Sequence, residues 1–246
     1  MTKEEKIIEL LRDDQEYYNG IGNNYMSNSD ISTLFENPMN FKKPRPDNPN
    51  FAVGRYFHQS ILEPEKAKDV VWVDASTRNT KVYKEFCTEK GIEVSLLLSE
   101  KERVEMLVKK MKGNLDFFDM IYKEGNVFEQ PGIKEIFGVE FKGKADILSD
   151  DTIYDLKTTS DLSKFRWSVT KYNYDSQAFI YKEIFGKDLE FLVIEKQTGA
   201  LGYFPVSHTT LLRGEQKVEA AVEIYNQFYG PNPTESFDQY YRFEEV

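Results

Sequence analysis

The spacing of apolar residues along the chain changes period once, near Gly125. Before that point the pattern is helical. Glu4 to Asp14 is amphipathic, and Ser27-Asn28-Ser29-Asp30 offers caps for a short helix that runs to Phe35 and stops at Asn37-Pro38. Phe51 to Leu62 shows helical spacing ended by Glu63-Pro64, and Ser99 to Tyr122 predicts one long helix with Val104, Leu107, Val108 and Met111 on a single face. After Gly125 the period shortens to that of strands. Val127–Gln130 and Ile133–Phe137 predict a first strand that turns at Pro131-Gly132, while Val139, Phe141, Ala145 and Ile147 alternate with polar residues. Asp150-Asp151 marks a turn before the strand Thr152 to Lys157. Helices follow from Leu162 and over Tyr174–Phe185, closed by Gly186. Two strands, Leu189–Lys196 and Leu201–Val206, are joined by the turn Gln197–Ala200, and Thr209–Tyr229 is the last helix. This order predicts an α/β fold with a central mixed sheet of about five strands flanked by helices.

No repeat, low-complexity tract or linker interrupts the 246 residues. The expectation is a single domain over 1–246: a mainly helical part over 1–124, a core of sheet and helices over 125–230, and an irregular tail over 231–246. Hydrophobic residues at 40%, with 18 Phe and 15 Tyr, suffice for a packed core and exclude a disordered chain. The one cysteine, Cys87, excludes an intramolecular disulfide framework and a cysteine-built zinc or iron–sulfur site, and fits a reducing compartment. No apolar run approaches the ~20 residues of a membrane span, and the polar N-terminus lacks a signal core, so a soluble cytoplasmic protein is expected. The net charge of −10 excludes a general basic coat for nucleic acid. Any phosphate contact must be local.

The chemistry concentrates in Lys144-Ala145-Asp146-Ile147-Leu148 and, across the predicted hairpin, Asp155-Leu156-Lys157-Thr158-Thr159. Alternate strand residues share a face, so Asp155 and Lys157 project side by side and the turn brings Asp146 towards them. Two carboxylates and an ammonium in one pocket suit a hard divalent cation and the activation of water. Close acids repel unless a cation neutralises them, so the arrangement costs stability without a ligand. Acid-x-Lys occurs four times in the chain. In Glu4/Lys6 and Glu215/Lys217 the pattern is helical, where such positions do not face each other. Glu140/Lys142 reads as solvated charge on the polar face of a strand. Read alone, Glu129 serves equally as a water-facing edge acid or a third carboxylate. His58, among Phe57, Ile61 and Leu62, is by itself more often a satisfied core residue than a ligand, and Gln177 with Tyr181 is a polar edge to a helix.

As a set, Gly54-Arg55-Tyr56-Phe57-His58, Glu129, Asp146, Asp155-Leu156-Lys157-Thr158-Thr159 and Gln177-Ala178-Phe179-Ile180-Tyr181 resemble the PD-(D/E)xK nuclease superfamily. Within it the chain is similar to the exonuclease VIII (RecE) type of phage and prophage recombination nucleases, from about Tyr17-Tyr18-Asn19 to about Gly202. The resemblance implies a restriction-endonuclease-like αβββαβ core and a Mg²⁺- or Mn²⁺-dependent deoxyribonuclease that digests linear double-stranded DNA 5′-to-3′. It implies that Glu129, Asp146, Asp155, the Leu156 carbonyl and His58 hold the metal, that Lys157 positions the attacking water, and that Gln177 and Tyr181 contact phosphate or brace the acids. The partners it implies are duplex DNA ends, a single-strand annealing protein and further copies of the chain in a ring, inside a bacterial or phage-infected cell. Two departures are an Asp, not a Glu, as second motif acid and Ala145 where the superfamily name has Pro. Endonuclease or flap-nuclease activity on the same centre is the nearest alternative. A non-catalytic acidic DNA mimic or scaffold is the alternative from another class, suggested by the net charge.

Two local clusters offset the acidity. Residues 40–55 hold Lys42, Lys43, Arg45 and Arg55 against Asp47, and residues 161–182 hold Lys164, Arg166, Lys171 and Lys182 against Asp161 and Asp175. Lys42, Lys43, Arg45, Arg55, Thr158, Lys164, Arg166 and Lys171 are the candidate DNA contacts, expected to lie along one path to Asp155.

Overall fold

The structure, a computed structural model, describes residues 1–44 and 46–241; Arg45 and the end of the tail lie outside it. Thr2 opens α1 (Lys3–Leu10) with a capping box closed by Glu5. The predicted first helix ends early because Asp13 caps a new one: its carboxylate accepts the Glu16 N–H at 3.0 Å and starts α2 (Asp14–Tyr18). Ser27 and Asp30 form the capping box of α3 (Asn28–Glu36), as the cap residues predict. Next come α4 (Pro49–Leu62), with Pro49 at its first position, and the short α5 (Pro64–Lys68).

A small unit that the pattern did not predict follows. Strand β1 (Trp72–Val73) runs parallel to β2 (Leu96–Leu97), with α6 (Lys81–Lys90) between them in sequence. Val73, Tyr83, Cys87 and Leu97 form its own core. The single helix expected over 99–122 is two, α7 (Leu98–Lys112) and α8 (Leu115–Tyr122). The break has a local cause, since Asn114 accepts the Phe117 N–H at 3.0 Å and so begins a second helix.

The main sheet has the order β3-β4-β5-β6-β7. Strand β3 (Val127–Ile136) does not turn at Pro131-Gly132. It is an edge strand, where a proline's missing N–H is tolerated, and it continues to a two-residue turn at Phe137-Gly138, both at positive φ (52° and 78°). Strand β4 (Val139–Leu148) returns antiparallel, β5 (Thr152–Thr159) pairs antiparallel with β4, and β6 (Asp188–Glu195) lies parallel to β5. The β5–β6 crossover carries α9 (Phe165–Lys171) and α10 (Tyr174–Phe185); β7 (Leu201–Pro205) and α11 (His208–Phe228) complete the described elements. The predicted mixed α/β sheet is present. No helix of the described residues is long and apolar enough to cross a membrane.

Alternate residues of β6 supply both cores. Phe191 and Val193 pack with residues of α3, α9, α10 and α11, whereas Leu192 and Ile194 pack with those of α4, α7 and α8. Helix α10 lies close to the sheet because Gly132 and Gly143 face each other across β3 and β4. A Cβ on Gly132 would come within 2.4 Å of Ile184, and one on Gly143 within 2.9 Å of Tyr181. Those two glycines set the height of Gln177 and Tyr181 above the strands.

Candidate active site

The β4–β5 ladder is short. Its pairs are Leu148↔Ile153 and Ile147↔Tyr154, and the next positions in that register are Asp146 and Asp155. Beyond the last pair the strands part, and a side chain replaces the missing ladder bond: Asp146 Oδ2 accepts the Leu156 backbone N–H at 2.8 Å. The fork thus sets two acids beside each other at the sheet interior, Asp146 at 9% and Asp155 at 1% exposure.

Each acid is held differently. His58 on α4 places Nδ1 3.2 Å from Asp146 Oδ2, so His58 is drawn to the acid cluster rather than left as an ordinary core residue. Burial alone would raise the Asp146 pKa, but His58, Lys157 and the Leu156 N–H outweigh it and hold the carboxyl below its usual range. The same contact raises His58 against the opposing effect of its burial. Asp155 takes a hydrogen bond from Gln177 Nε2 on α10 at 2.5 Å and an ion pair from Lys157 Nζ at 2.5 Å. Burial, with the nearby Asp146 charge, pushes Asp155 up despite that lysine. Lys157 is held protonated, because Asp155, the Tyr174 hydroxyl and Asp146 outweigh the cost of burying it. Its Nζ also lies 4.8 Å from the centre of the Tyr174 ring. Tyr181 donates to the Lys144 carbonyl at 2.8 Å, which ties α10 to β4 two residues before Asp146. It braces the strand.

Glu129 comes from β3, between the paired positions Phe128↔Ile147 and Gln130↔Ala145, opposite Asp146. Its φ of 48° is left-handed, a conformation that non-glycine residues adopt at a cost and that clusters at functional sites. Burial and the neighbouring Asp146 push its carboxyl up to about 8. One ligand atom each from His58, Glu129 and Asp146 lies within 4.8 Å of the others. An imidazole with two carboxylates is a donor set for a divalent cation. The chemistry of the cluster supports that fit, since the acids Glu129 and Asp146 lie together and burial beside Asp146 pushes the Glu129 carboxyl up to about 8, a proton that a bound cation would displace. Of the expected ligands, Asp155 is not in the three-residue group, its oxygens facing Gln177 and Lys157. Leu156 meets Asp146 through its backbone N–H, a donor rather than the carbonyl oxygen expected as a ligand.

The candidate DNA contacts divide. Lys42 is committed to the fold: it pairs with Asp30 at 2.9 Å and donates to the Tyr25 carbonyl at 2.6 Å. Arg55 pairs with Asp47 at 3.1 Å, Lys43 lies exposed beside Asn40, and Arg45 is outside the described residues. The first cluster is therefore not the open basic path expected of it. Thr158 is half-buried in β5, paired in register with Ile194. Lys164 pairs with Asp161 at 3.0 Å, whereas Arg166 and Lys171 are exposed and lie over the rings of Trp167 and Tyr172.

The Glu140/Lys142 reading holds for Glu140, which is exposed, and needs a correction for Lys142. Lys142 is 5% exposed, not solvated: its Nζ donates to the Tyr17 carbonyl and sits 4.2 Å from the centre of the Tyr17 ring. Burial, then the Lys42 charge, lowers its pKa to about 8. Lys144 shares that ring at 4.4 Å and pairs with Asp14 at 2.7 Å. Alternation marked these positions as polar and outward. Helix α2, brought over β4 by tertiary packing, covers them.

A family model described as a PDDEXK-like domain of unknown function (DUF3799) matches residues 32–228. No curated protein sequence matches the chain. Among solved structures, a candidate exonuclease from Eubacterium rectale aligns with a TM-score of 0.62 at 19% identity, over 87% of this chain and 86% of that one, which is a likeness of fold. An alkaline exonuclease from Laribacter hongkongensis aligns over 86% of this chain and 93% of its own at 10% identity, with a TM-score of 0.35, too distant to argue from. With the forked acids, the Asp-x-Lys strand and the main sheet all inside the matched span, the chain belongs to this PDDEXK-like family.

Proposed function

We propose that the protein is a divalent-metal-dependent nuclease that hydrolyses DNA phosphodiesters, acting as an exonuclease on the ends of linear duplex DNA. The observation that carries it is the convergence of His58, Glu129 and Asp146 next to the buried Asp155–Lys157 pair. Mg²⁺ or Mn²⁺ held by the first three, with Asp155 adjoining, would supply Lewis acidity at the scissile phosphate and acidify an attacking water. The chain's residues do the rest. Lys157, charged and fixed by Asp155, orients the attacking water and offsets charge on the phosphate. Gln177 holds the Asp155 carboxylate so that this ammonium keeps its place. His58 sets the orientation of Asp146, and Tyr181 anchors the strand that carries it.

The RecE-type resemblance supports 5′-to-3′ digestion, a recombination role beside a single-strand annealing protein, and a ring of several copies. The test pairs two proteins and two substrates. Purified protein with Mg²⁺ should release nucleotides from linear duplex DNA, spare a closed circle and stop with a chelator, while Asp146→Ala should release none. Equal release by the two proteins, or none by either, overturns the reading. Cutting of the circle turns it to an endonuclease.

A further inference from the structure

Helix α9 leaves the catalytic strand and carries an exposed surface that the metal cluster does not explain. Phe165 and Val169 enter the core, which turns Arg166, Trp167 and Thr170 to solvent. Trp167 is 55% exposed and Tyr172, at the end of the helix, 54%. Exposed aromatics occur elsewhere on the chain, but here two stand five residues apart on one helical segment, each with its own cation. Each carries a cation: the Arg166 guanidinium lies 4.0 Å from the Trp167 ring centre and Lys171 Nζ 5.3 Å from that of Tyr172. Neither Arg166 nor Lys171 has a carboxylate partner among the described residues, and the acids of the segment are occupied. Asp161 is paired with Lys164, and Asp175 is buried between Arg213 at 2.6 Å and Lys217 at 2.9 Å. A protein of net charge −10 therefore presents a locally cationic, aromatic face. It is continuous with the site: the Tyr172 and Tyr174 rings are 5.9 Å apart, and Tyr174 lies against Lys157.

We propose that this face binds single-stranded DNA, with Trp167 and Tyr172 each stacking a base, Arg166 and Lys171 neutralising adjacent phosphates, and the strand passing over Tyr174 to Lys157. Interleaved aromatics and cations are the chemistry of an unpaired strand, whose bases offer their faces; a duplex hides them. Only the destination of the strand rests on the nuclease reading. The surface itself stands on α9.

The chain has two tryptophans, so Trp72→Phe leaves Trp167 as the single reporter. In the presence of chelator, where cleavage plays no part, oligothymidylate is expected to quench its emission. Labelled oligothymidylate should bind Tyr172→Ala or Trp167→Ala about 5- to 100-fold more weakly than the parent. Arg166→Ala or Lys171→Ala should each reduce the slope of log affinity against log salt by about 0.7. These side chains are exposed, and circular dichroism should show that the variants fold. Unchanged Trp167 emission at saturating oligonucleotide, parental affinity in Tyr172→Ala, or equal quenching by a blunt hairpin duplex would overturn the proposal. Quenching without any Asp146-dependent digestion sinks the nuclease reading and leaves the surface standing. Digestion without quenching does the reverse.

Discussion

Two buried acids from neighbouring elements, Asp155 and Asp175, are treated in opposite ways. Asp175, in the first turn of α10, is fully buried and doubly paired: Arg213 Nε lies 2.6 Å from one oxygen and Lys217 Nζ 2.9 Å from the other. Its oxygen also accepts the Ser176 N–H at 3.0 Å. Gly214 permits this, because a Cβ there would meet the Asp175 carbonyl at 2.1 Å and push α11 away. Asp155 instead shares its surroundings with Asp146 and Glu129: Lys157 and His58 serve the two aspartates, and Glu129 has His58 and Lys144 against Asp146 and Glu63. Among the described residues the Asp155 Oδ2 is met by Lys157 Nζ alone, at 2.5 Å. A buried acid that only holds a fold is matched by cations from its own chain. A cluster left short of positive charge is arranged for a cation from outside.

Variants that remove one side of this contrast break it most sharply. Asp146→Ala and Asp155→Asn should lower the rate of DNA hydrolysis about a hundred- to a thousandfold, the scale on which charge-stabilising groups act in active sites. The melting temperature of Asp155→Asn without metal should equal or exceed the parent's, because burial and the Asp146 charge oppose its ionisation, whereas Asp146→Ala also loses the Leu156 N–H bond and the His58 contact and should melt lower. A large loss of stability in Asp155→Asn would put that acid in the same class as Asp175.

The next effect in size is linkage to the metal. Mg²⁺ or Mn²⁺ at 100 times its dissociation constant should stabilise the parent by about 2.7 kcal/mol. Thermal denaturation should show the increment intact in Asp175→Asn and absent in Asp146→Ala. An increment that survives in Asp146→Ala would place the cation elsewhere. Asp175→Asn itself should cost about 2 kcal/mol in denaturant unfolding, below the usual loss for a buried pair because Arg213 and Lys217 keep access to water. Hydrolysis per folded molecule should be unchanged.

The smallest effect is the pH dependence of the metal-free protein. Glu129 keeps its proton up to about 8 in the folded state, whereas in the unfolded chain it ionises near the ordinary glutamate value. Between those values the unfolded state binds fewer protons, so stability falls as pH rises towards 8. Glu129→Gln should flatten that decline in chelator. A parental slope in the variant would clear Glu129 of the cause.

Much of this was readable in one dimension. Strands β4 to β7 and helices α3, α4, α10 and α11 follow the period and cap residues closely, because those signals are local. The motif acids and Lys157 were visible for the same reason: strand alternation fixes which neighbours share a face. The failures cluster where one element covers or redirects another. The Pro131-Gly132 turn dissolved into an edge strand, Lys142 of the Glu140/Lys142 pair was covered by α2, and Lys42 was captured by Asp30 and the Tyr25 carbonyl. Asn114 is a different case. Its capping chemistry is local and could have divided the long helix.

The sequence by itself determined the order of the five main-sheet strands and the helices between and after them, the placement of Asp146 and Asp155 on consecutive strands, and the pairing of Asp155 with Lys157. Tertiary structure alone decided that β4 and β5 part just beyond Ile147 and Tyr154, that Glu129 adopts a left-handed backbone opposite Asp146, and that α4 and α10 bring His58 and Gln177 to the fork. Periodicity and capping act over a few residues and leave their mark in the chain. Register, burial and the separation of charges depend on segments far apart in sequence, and these set the chemistry of the acids.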